Sequence, residues 1–410
     1  MLRWHYNQRL DDCQPHRPMP ALDQFFSPCP RGLEALLVAE LEQLGAQATQ
    51  ELPGGVQWRG SLEACYQANL WSRVASRVLM RVGVASYRDE TDLYKAALAI
   101  DWPALFTVER TIRVDVTAVR SPLESVDFAV LRIKDAVCDH FRQVCGERPS
   151  VDTRNPDVRI SAFIDEREAV FYLDTSGEPL FKRGYRRARR DAPLKENLAA
   201  GLILLSGWNP AEEPFFDPMC GSGTLAMEAA LIATRTAPGA RRSFGFEALT
   251  GHDPQLWRRL RDRAAAGTSP HAPQLIVASD RDPACLEDLR ASLATFGLED
   301  AVRCTTGDVL TAQAPASHGV WLTNPPYGVR MGADEGLGDL FKALGGVLKR
   351  GFAGWRCFFI TADMKLPRQL GLHESRRTPI FNGRLECRLF EFRMVAGSLR
   401  RRQADTGAAG

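Results

Sequence analysis

Three things are scarce in this chain: paired cysteines, unbroken apolar runs and net charge. Ten cysteines are scattered over 410 residues without one C-x-x-C pair, which argues against a zinc ribbon and a thioredoxin-type redox site. Thiols spaced in this way fit a reducing compartment, where most serve as small buried hydrophobes. No run of about 18 apolar residues occurs, and Met1 to Asp12 lacks the apolar core of a signal peptide. A cytoplasmic location is expected, and no membrane partner. Histidines 140, 252, 271, 318 and 373 have neither metal-ligand spacing nor an evident triad partner, so no metal site is expected. Lys and Arg number 52 against 50 Asp and Glu, a formal charge of +2. A polyanionic partner must therefore be argued from local clusters.

What remains is an ordinary globular composition, 45% hydrophobic and 25% charged, in a chain long enough for two or three folded units. Residues 1–24 and 398–410 read as flexible tails. Apolar residues from Gly32 to Leu41 recur at helical spacing until Gly45, a strand is expected near Val56 to Trp58, and a second helix from Ser61 to Met80. Alternation over Thr111 to Val119 predicts a strand, the three-and-four spacing from Val130 to Val144 a helix, and Val158–Asp165 with Ala169–Thr175 a hairpin. Residues up to 175 thus read as a compact α+β unit.

Lys182 to Arg190 carries six basic residues in nine: Lys182, Arg183, Arg186, Arg187, Arg189 and Arg190. Lying between two halves of the chain, this run is the expected RNA contact. Beyond it, a helix from Leu194 to Leu205 precedes short apolar strands ending at Asp217, Asp280, Asp308, Asn324, Thr361 and Met394, with helices between them. That alternation predicts a parallel, doubly wound sheet, whose ligands sit at the C-terminal strand ends.

The chemistry concentrates at those ends. In Asp217-Pro218-Met219-Cys220-Gly221-Ser222-Gly223-Thr224 a strand runs into a glycine turn that opens a helix, which lets a ligand approach the backbone closely. Gly221 to Ala226 also satisfies G-x-G-x-x-A, but the acid that a dinucleotide site needs about 20 residues on is not between Ala226 and Arg242. The acid at Asp217 instead suits the ammonium of S-adenosylmethionine and would repel a pyrophosphate. Asp280 is placed for ribose hydroxyls and Asp308 for an adenine amine. The cofactor site is thus expected at Asp217, Pro218, Cys220, Gly221, Ser222, Gly223, Thr224, Asp280, Asp308 and Asn324.

Asn324-Pro325-Pro326-Tyr327-Gly328 follows the strand Val320 to Thr323 directly. Two prolines fix the loop and withhold N–H donors, leaving carbonyls free to accept, and Asn324 adds a side-chain acceptor. An exocyclic amine could donate both hydrogens here while Tyr327 stacks on its ring, worth about 1–3 kcal/mol. Asn324, Pro325, Pro326 and Tyr327 are the expected catalytic residues.

Together with Cys29-Pro30-Arg31-Gly32-Leu33-Glu34, Leu70-Trp71-Ser72-Arg73, Arg183-Gly184-Tyr185-Arg186 and Phe381-Asn382-Gly383-Arg384-Leu385-Glu386-Cys387, these motifs resemble the THUMP-domain ribosomal RNA guanine-N2 methyltransferases, specifically the first half of the bifunctional bacterial enzymes. The resemblance runs from about Phe25 to Val395. It implies a ferredoxin-like lead-in at 25–65, a THUMP RNA-binding domain at 66–175, and a Rossmann-like S-adenosylmethionine-dependent methyltransferase at 186–397 carrying the family's insertion between Glu228 and His271. The implied activity is methylation of a guanine N2 in 23S rRNA, with large-subunit rRNA or its precursor as partner. One departure is Val329, where such proteins commonly carry an acid. The alternatives are an adenine-N6 methyltransferase on RNA or DNA, a non-catalytic RNA-binding assembly factor, and, most distant, a nicotinamide oxidoreductase.

Overall fold

The structure, a computed structural model, describes residues 23–186, 194–326 and 334–396. The expected tails fall almost wholly outside these residues. The chain divides into two units: residues up to Gly184 together with Thr236–Thr268 form one, and Tyr185–Arg235 with the residues from Ser269 form the other.

The first unit runs β1 (Asp23–Pro28), α1 (Glu34–Gln43), β2 (Gln47–Leu52), β3 (Gly55–Gly60), α2 (Leu62–Trp71), β4 (Leu79–Ser86), α3 (Glu90–Leu98), β5 (Ile112–Ala118), α4 (Val126–Cys145), β6 (Val158–Ile164) and β7 (Glu168–Asp174). Its seven strands make one sheet in the order β2-β3-β1-β4-β7-β6-β5, antiparallel except for the β5–β6 pair. Strands β5, β6 and β7, helix α4 and the β6–β7 hairpin match the spacing that predicted them. Ser125 caps α4 by accepting the Phe128 N–H, and Gly146, at φ 78°, ends it.

The helix expected from Ser61 to Met80 is half as long. It stops at Trp71, and Leu79–Ser86 is a strand. The cause is Glu40 on α1, whose buried carboxylate accepts the Ser72 hydroxyl at 2.5 Å and the Arg73 and Val74 amides at 2.7 and 3.4 Å. Donors taken by a carboxylate cannot continue the helical ladder. The freed chain then pairs with β1, Met80 opposite Phe25 and Leu79 opposite Phe26.

The second unit begins with α5 (Glu196–Ser206), β8 (Phe215–Asp217) and α6 (Thr224–Ala233). Residues 236–268, which lie within the insertion expected between Glu228 and His271, then leave it. They carry α7 (Pro254–Ala266) and fold with the first unit. Aromatic packing holds them there: Phe246 stacks on Tyr66 at 4.1 Å between ring centres, and Trp257 meets the same ring edge-on at 5.8 Å. The second unit resumes with β9 (Ile276–Asp280), α8 (Pro283–Phe296), β10 (Arg303–Thr306), β11 (Gly319–Thr323), α9 (Asp334–Gly351), β12 (Trp355–Thr361), α10 (Leu366–Leu370), β13 (Arg376–Asn382) and β14 (Leu385–Arg393).

Its sheet has the order β10-β9-β8-β11-β12-β14-β13. The first five strands are parallel, as expected, while β14 and β13 are antiparallel. Val320, Trp321 and Leu322 are fully buried, which is why β11 reads as a continuous apolar run. Trp321 packs edge-on against Phe216 and Phe352 at 5.3 and 4.7 Å, fixing the two strands that carry the site. Among the described residues no helix is long and apolar enough to cross a membrane.

Loss of the Glu40 carboxylate would strand partly buried amides, at about 1–3 kcal/mol each. Glu40→Ala is therefore expected to lower the unfolding free energy by about 2 kcal/mol or more in a urea melt. A loss below about 0.5 kcal/mol would mean that water serves those donors equally well.

Candidate active site

β8 and β11 are neighbours, with Trp321 opposite Phe216. From β8 the chain winds outward to β9 and β10, and from β11 to β12 on the other side. A crevice opens at the carboxyl ends of strands that part in this way. Asp217 closes β8 and Thr323 closes β11, so the glycine turn and the Asn-Pro-Pro loop leave from adjacent strand tips.

The glycine turn is tied to β9. The Cys220 amide donates to the Ser279 carbonyl at 3.0 Å, and the Gly221 amide to Asp280 Oδ2 at 2.8 Å. Asp280 Oδ1 accepts the Asp282 amide at 3.0 Å. Asp280, expected at the ribose, therefore also holds the loop in shape. Gly223 has φ +77°, and a Cβ there would lie 2.5 Å from Leu289 Cδ1, so only glycine fits this close crossing of α8. Gly221 has φ +52° and open space where a side chain would stand. Ser222 is half-buried, Pro218 and Thr224 are buried, and the Pro218 carbonyl accepts the Ser279 hydroxyl at 3.4 Å. Burial pushes the Cys220 thiol far up, which makes it a neutral packing group.

Asp217 is 1% exposed. Its Oδ1 accepts the Thr323 hydroxyl at 3.0 Å and the Met219 amide at 3.4 Å. Burial, with a smaller push from Asp280, raises its carboxyl to about 7. A cation against it would restore the charged form. Asn324 follows directly: its Oδ1 is buried and has no hydrogen-bond partner among the described residues. Pro325 is buried and Pro326 exposed. Tyr327 lies outside the described residues.

Asp308 is exposed and caps the short turn Val309–Thr311, accepting the Leu310 amide at 2.8 Å. The Gly307 amide donates to the Asp280 carbonyl at 3.0 Å, so both acids stand at neighbouring strand tips.

The basic run does not form one RNA-facing surface. Arg183 is buried and donates to the carbonyls of Leu180 at 2.7 Å and Arg73 at 2.6 Å. Arg186 bonds Glu196 at 2.9 Å and the Leu194 carbonyl and Thr224 hydroxyl at 3.2 Å each. Both are corrected from RNA contacts to internal clamps, because a guanidinium's forked donors suit converging carbonyls and carboxylates. Lys182 is exposed and paired with Glu178. Arg187, Arg189 and Arg190 lie outside the described residues. Sequence reasoning missed Thr323 and the clamp of Arg186 on Thr224. Its one signal for Thr323 was adjacency to Asn324.

The fit of these residues to S-adenosylmethionine rests on an open glycine turn and, among the described residues, a buried acid without a countercharge and an acceptor without a partner. The buried acid yields a test. Asp217 ionises near 3.8 in the unfolded chain and near 7 in the folded one, so the folded state holds its proton longer. That contribution to stability is full below about pH 3.8 and is lost as pH rises through about 7. The stability of the cofactor-free protein in thermal unfolding should fall more steeply between about pH 4 and 7 than that of Asp217→Asn, and the two should run parallel above about pH 7. Curves parallel throughout would reject the raised value.

Residues 183–391 match the RMKL-like methyltransferase domain, 87–174 the THUMP domain and 24–79 the RlmL ferredoxin-like domain. The chain is 39% identical over 382 residues to the ribosomal RNA large subunit methyltransferase K/L of Methylococcus capsulatus, covering 91% of this chain and 52% of that protein. It is 39% identical over 384 residues to the protein of the same name from Syntrophotalea carbinolica, covering 54% of it. The chain thus spans about half the length of these curated relatives. Among solved structures, the methyltransferase SMU.472 with S-adenosylhomocysteine superposes with a TM-score of 0.85 at 30% identity, over 93% of this chain and all of that one. A Listeria monocytogenes protein described as an N6-adenine-specific DNA methylase gives 0.83 at 30% identity, over 91% and 96%. The domain match takes in β8, α6 and β11 together with the glycine turn and the Asn-Pro-Pro loop, and the chain belongs to the RMKL-like methyltransferase family.

Proposed function

We propose that this chain methylates the exocyclic N2 of a guanine in large-subunit ribosomal RNA, with S-adenosylmethionine as donor. The observation that carries the reading is the Asn324 Oδ1, buried and without a partner among the described residues at the tip of β11. An unpaired buried acceptor costs about 1–3 kcal/mol, and the amine of a flipped base supplies the missing donor. The cofactor, when bound, contributes a methyl on a sulfonium that is already activated. Asp217 faces its ammonium, Asp280 its ribose hydroxyls and Asp308 its adenine amine.

The protein's part is placement. Asn324 and the Pro325 carbonyl accept the two amine hydrogens, which orients the nitrogen lone pair toward the crevice. Tyr327 stacks on the base and offsets part of the few kcal/mol spent in unstacking it. Thr323 holds Asp217 while its own strand delivers Asn324, so donor and acceptor sites share one hydrogen bond. The RNA part of the reading draws support from the THUMP match and from the K/L relatives. The expected ferredoxin-like and THUMP divisions, 25–65 and 66–175, belong to this proposal.

The name of the Listeria structure favours a second reading, methylation of adenine N6, which the same loop chemistry would serve. Transfer of tritiated methyl to protein-free large-subunit rRNA, followed by nucleoside chromatography, separates the two. Label in N2-methylguanosine is expected; label in N6-methyladenosine would move the protein to the second reading. Asn324→Ala should lower the rate at saturating RNA by about 100-fold or more, the scale for removing one preorganised polar contact to a reacting group. Wild-type turnover in that variant, with cofactor binding intact, would end the proposed role of Asn324.

A further inference from the structure

We infer that the outer face of α7 is an RNA phosphate-binding surface, a role the sequence had placed on the run at 182–190. The helix carries Arg258, Arg259, Arg261 and Arg263, all exposed, against a single acid, Asp262. Its net charge of +3 exceeds the +2 of the whole chain. On two helices of the same unit an exposed cation is paired one turn away, Lys95 with Asp92 and Arg142 with Asp139. None of the four arginines of α7 has a carboxylate within ion-pairing distance among the described residues. Arg258 and Asp262 stand four apart with the cation leading, the weaker order for a helical pair.

The face is also preorganised. Trp257, Leu260 and Ala264 are buried on the opposite side, and Trp257 meets Phe244 and Phe246 edge-on at 5.5 and 5.1 Å. Asp253 caps the first turn through the Gln255 and Leu256 amides, and its own amide donates to the Tyr66 hydroxyl at 2.9 Å. A packed and capped helix fixes where the four arginine side chains start, so the backbone beneath them pays no ordering cost on meeting phosphates. A merely solvated face would need neither the charge excess nor the depletion of acids. Among polyanions we choose RNA because this surface belongs to the unit that contains the THUMP match; the inference rests on the RNA reading above and is independent of which base is methylated.

The test uses the full chain and protein-free large-subunit rRNA in filter binding from 50 to 300 mM KCl. Replacing Arg258, Arg259, Arg261 and Arg263 together by Gln should reduce the log–log salt slope by about 2–4 and weaken Kd at 100 mM by about tenfold or more. The four-Lys variant should keep close to the wild-type slope. Thermal unfolding and S-adenosylmethionine binding should match across the three proteins. If the four-Gln protein unfolds early, the pair Arg259→Gln and Arg263→Gln is read instead, with an expected slope loss of about 1–2. An unchanged slope and Kd would overturn the inference and leave the face to an acidic protein. Equal losses in the Lys and Gln variants would also overturn it, since charge would then not be the cause. Reduced slope with N6-methyladenosine as the wild-type product would sink the guanine reading and leave this surface standing; N2-methylguanosine with unchanged slopes would do the reverse.

Discussion

The second unit turns on a single buried hydrogen bond, from the Thr323 hydroxyl to Asp217 at 3.0 Å. It joins the tips of β8 and β11, the two strands from which the chain departs in opposite directions. A carboxylate with 1% exposure survives there only because it is hydrogen-bonded, and its proton is held to about pH 7. Ionised, this residue is a buried negative charge, which a cation placed against it would relieve.

Arginine is used in two opposite ways in this chain, and burial separates them. Arg183, Arg186 and Arg242 face inward. Arg242 donates to the carbonyls of Pro179 at 2.6 Å and Ser176 at 3.0 Å, and burial pulls its guanidinium down to about 10, still charged at neutral pH. These residues gather loop carbonyls that no ladder would satisfy. The arginines of α7 face outward and find no acid among the described residues. A composition nearly balanced in sign conceals both arrangements, because net charge counts the clamps and the free face alike.

Several elements were readable for clear reasons. The β6–β7 hairpin and α4 carry strong period-two and three-to-four patterns, and β8, β9 and β11 are apolar runs that end in an acid or an amide. Asn382-Gly383, quoted among the family motifs, forms the turn between β13 and β14, with Gly383 at φ +65°. By contrast β2, Gln-Ala-Thr-Gln-Glu-Leu, is mostly polar and sits at the sheet edge, so it buries too little to leave a pattern. β13 contains Pro379 and lies at the opposite unit's edge, where proline is tolerated and periodicity is weak. The end of α2 was hidden because its cause, Glu40, lies 33 residues before Arg73.

By itself the sequence determined the fold class, the strand-tip acids, the glycine turn and the Asn-Pro-Pro loop, because each depends on local spacing and on backbone limits that glycine and proline write directly into the chain. Tertiary structure alone decided which polar groups are spent and which stay open. It turned Arg183 and Arg186 inward, gave Asp280 the task of holding Gly221, paired Thr323 with Asp217, moved residues 236–268 into the first unit and left Asn324 Oδ1 without a partner among the described residues. Hydrogen-bond satisfaction and burial are properties of groups brought together from distant positions, and no window along the chain contains them.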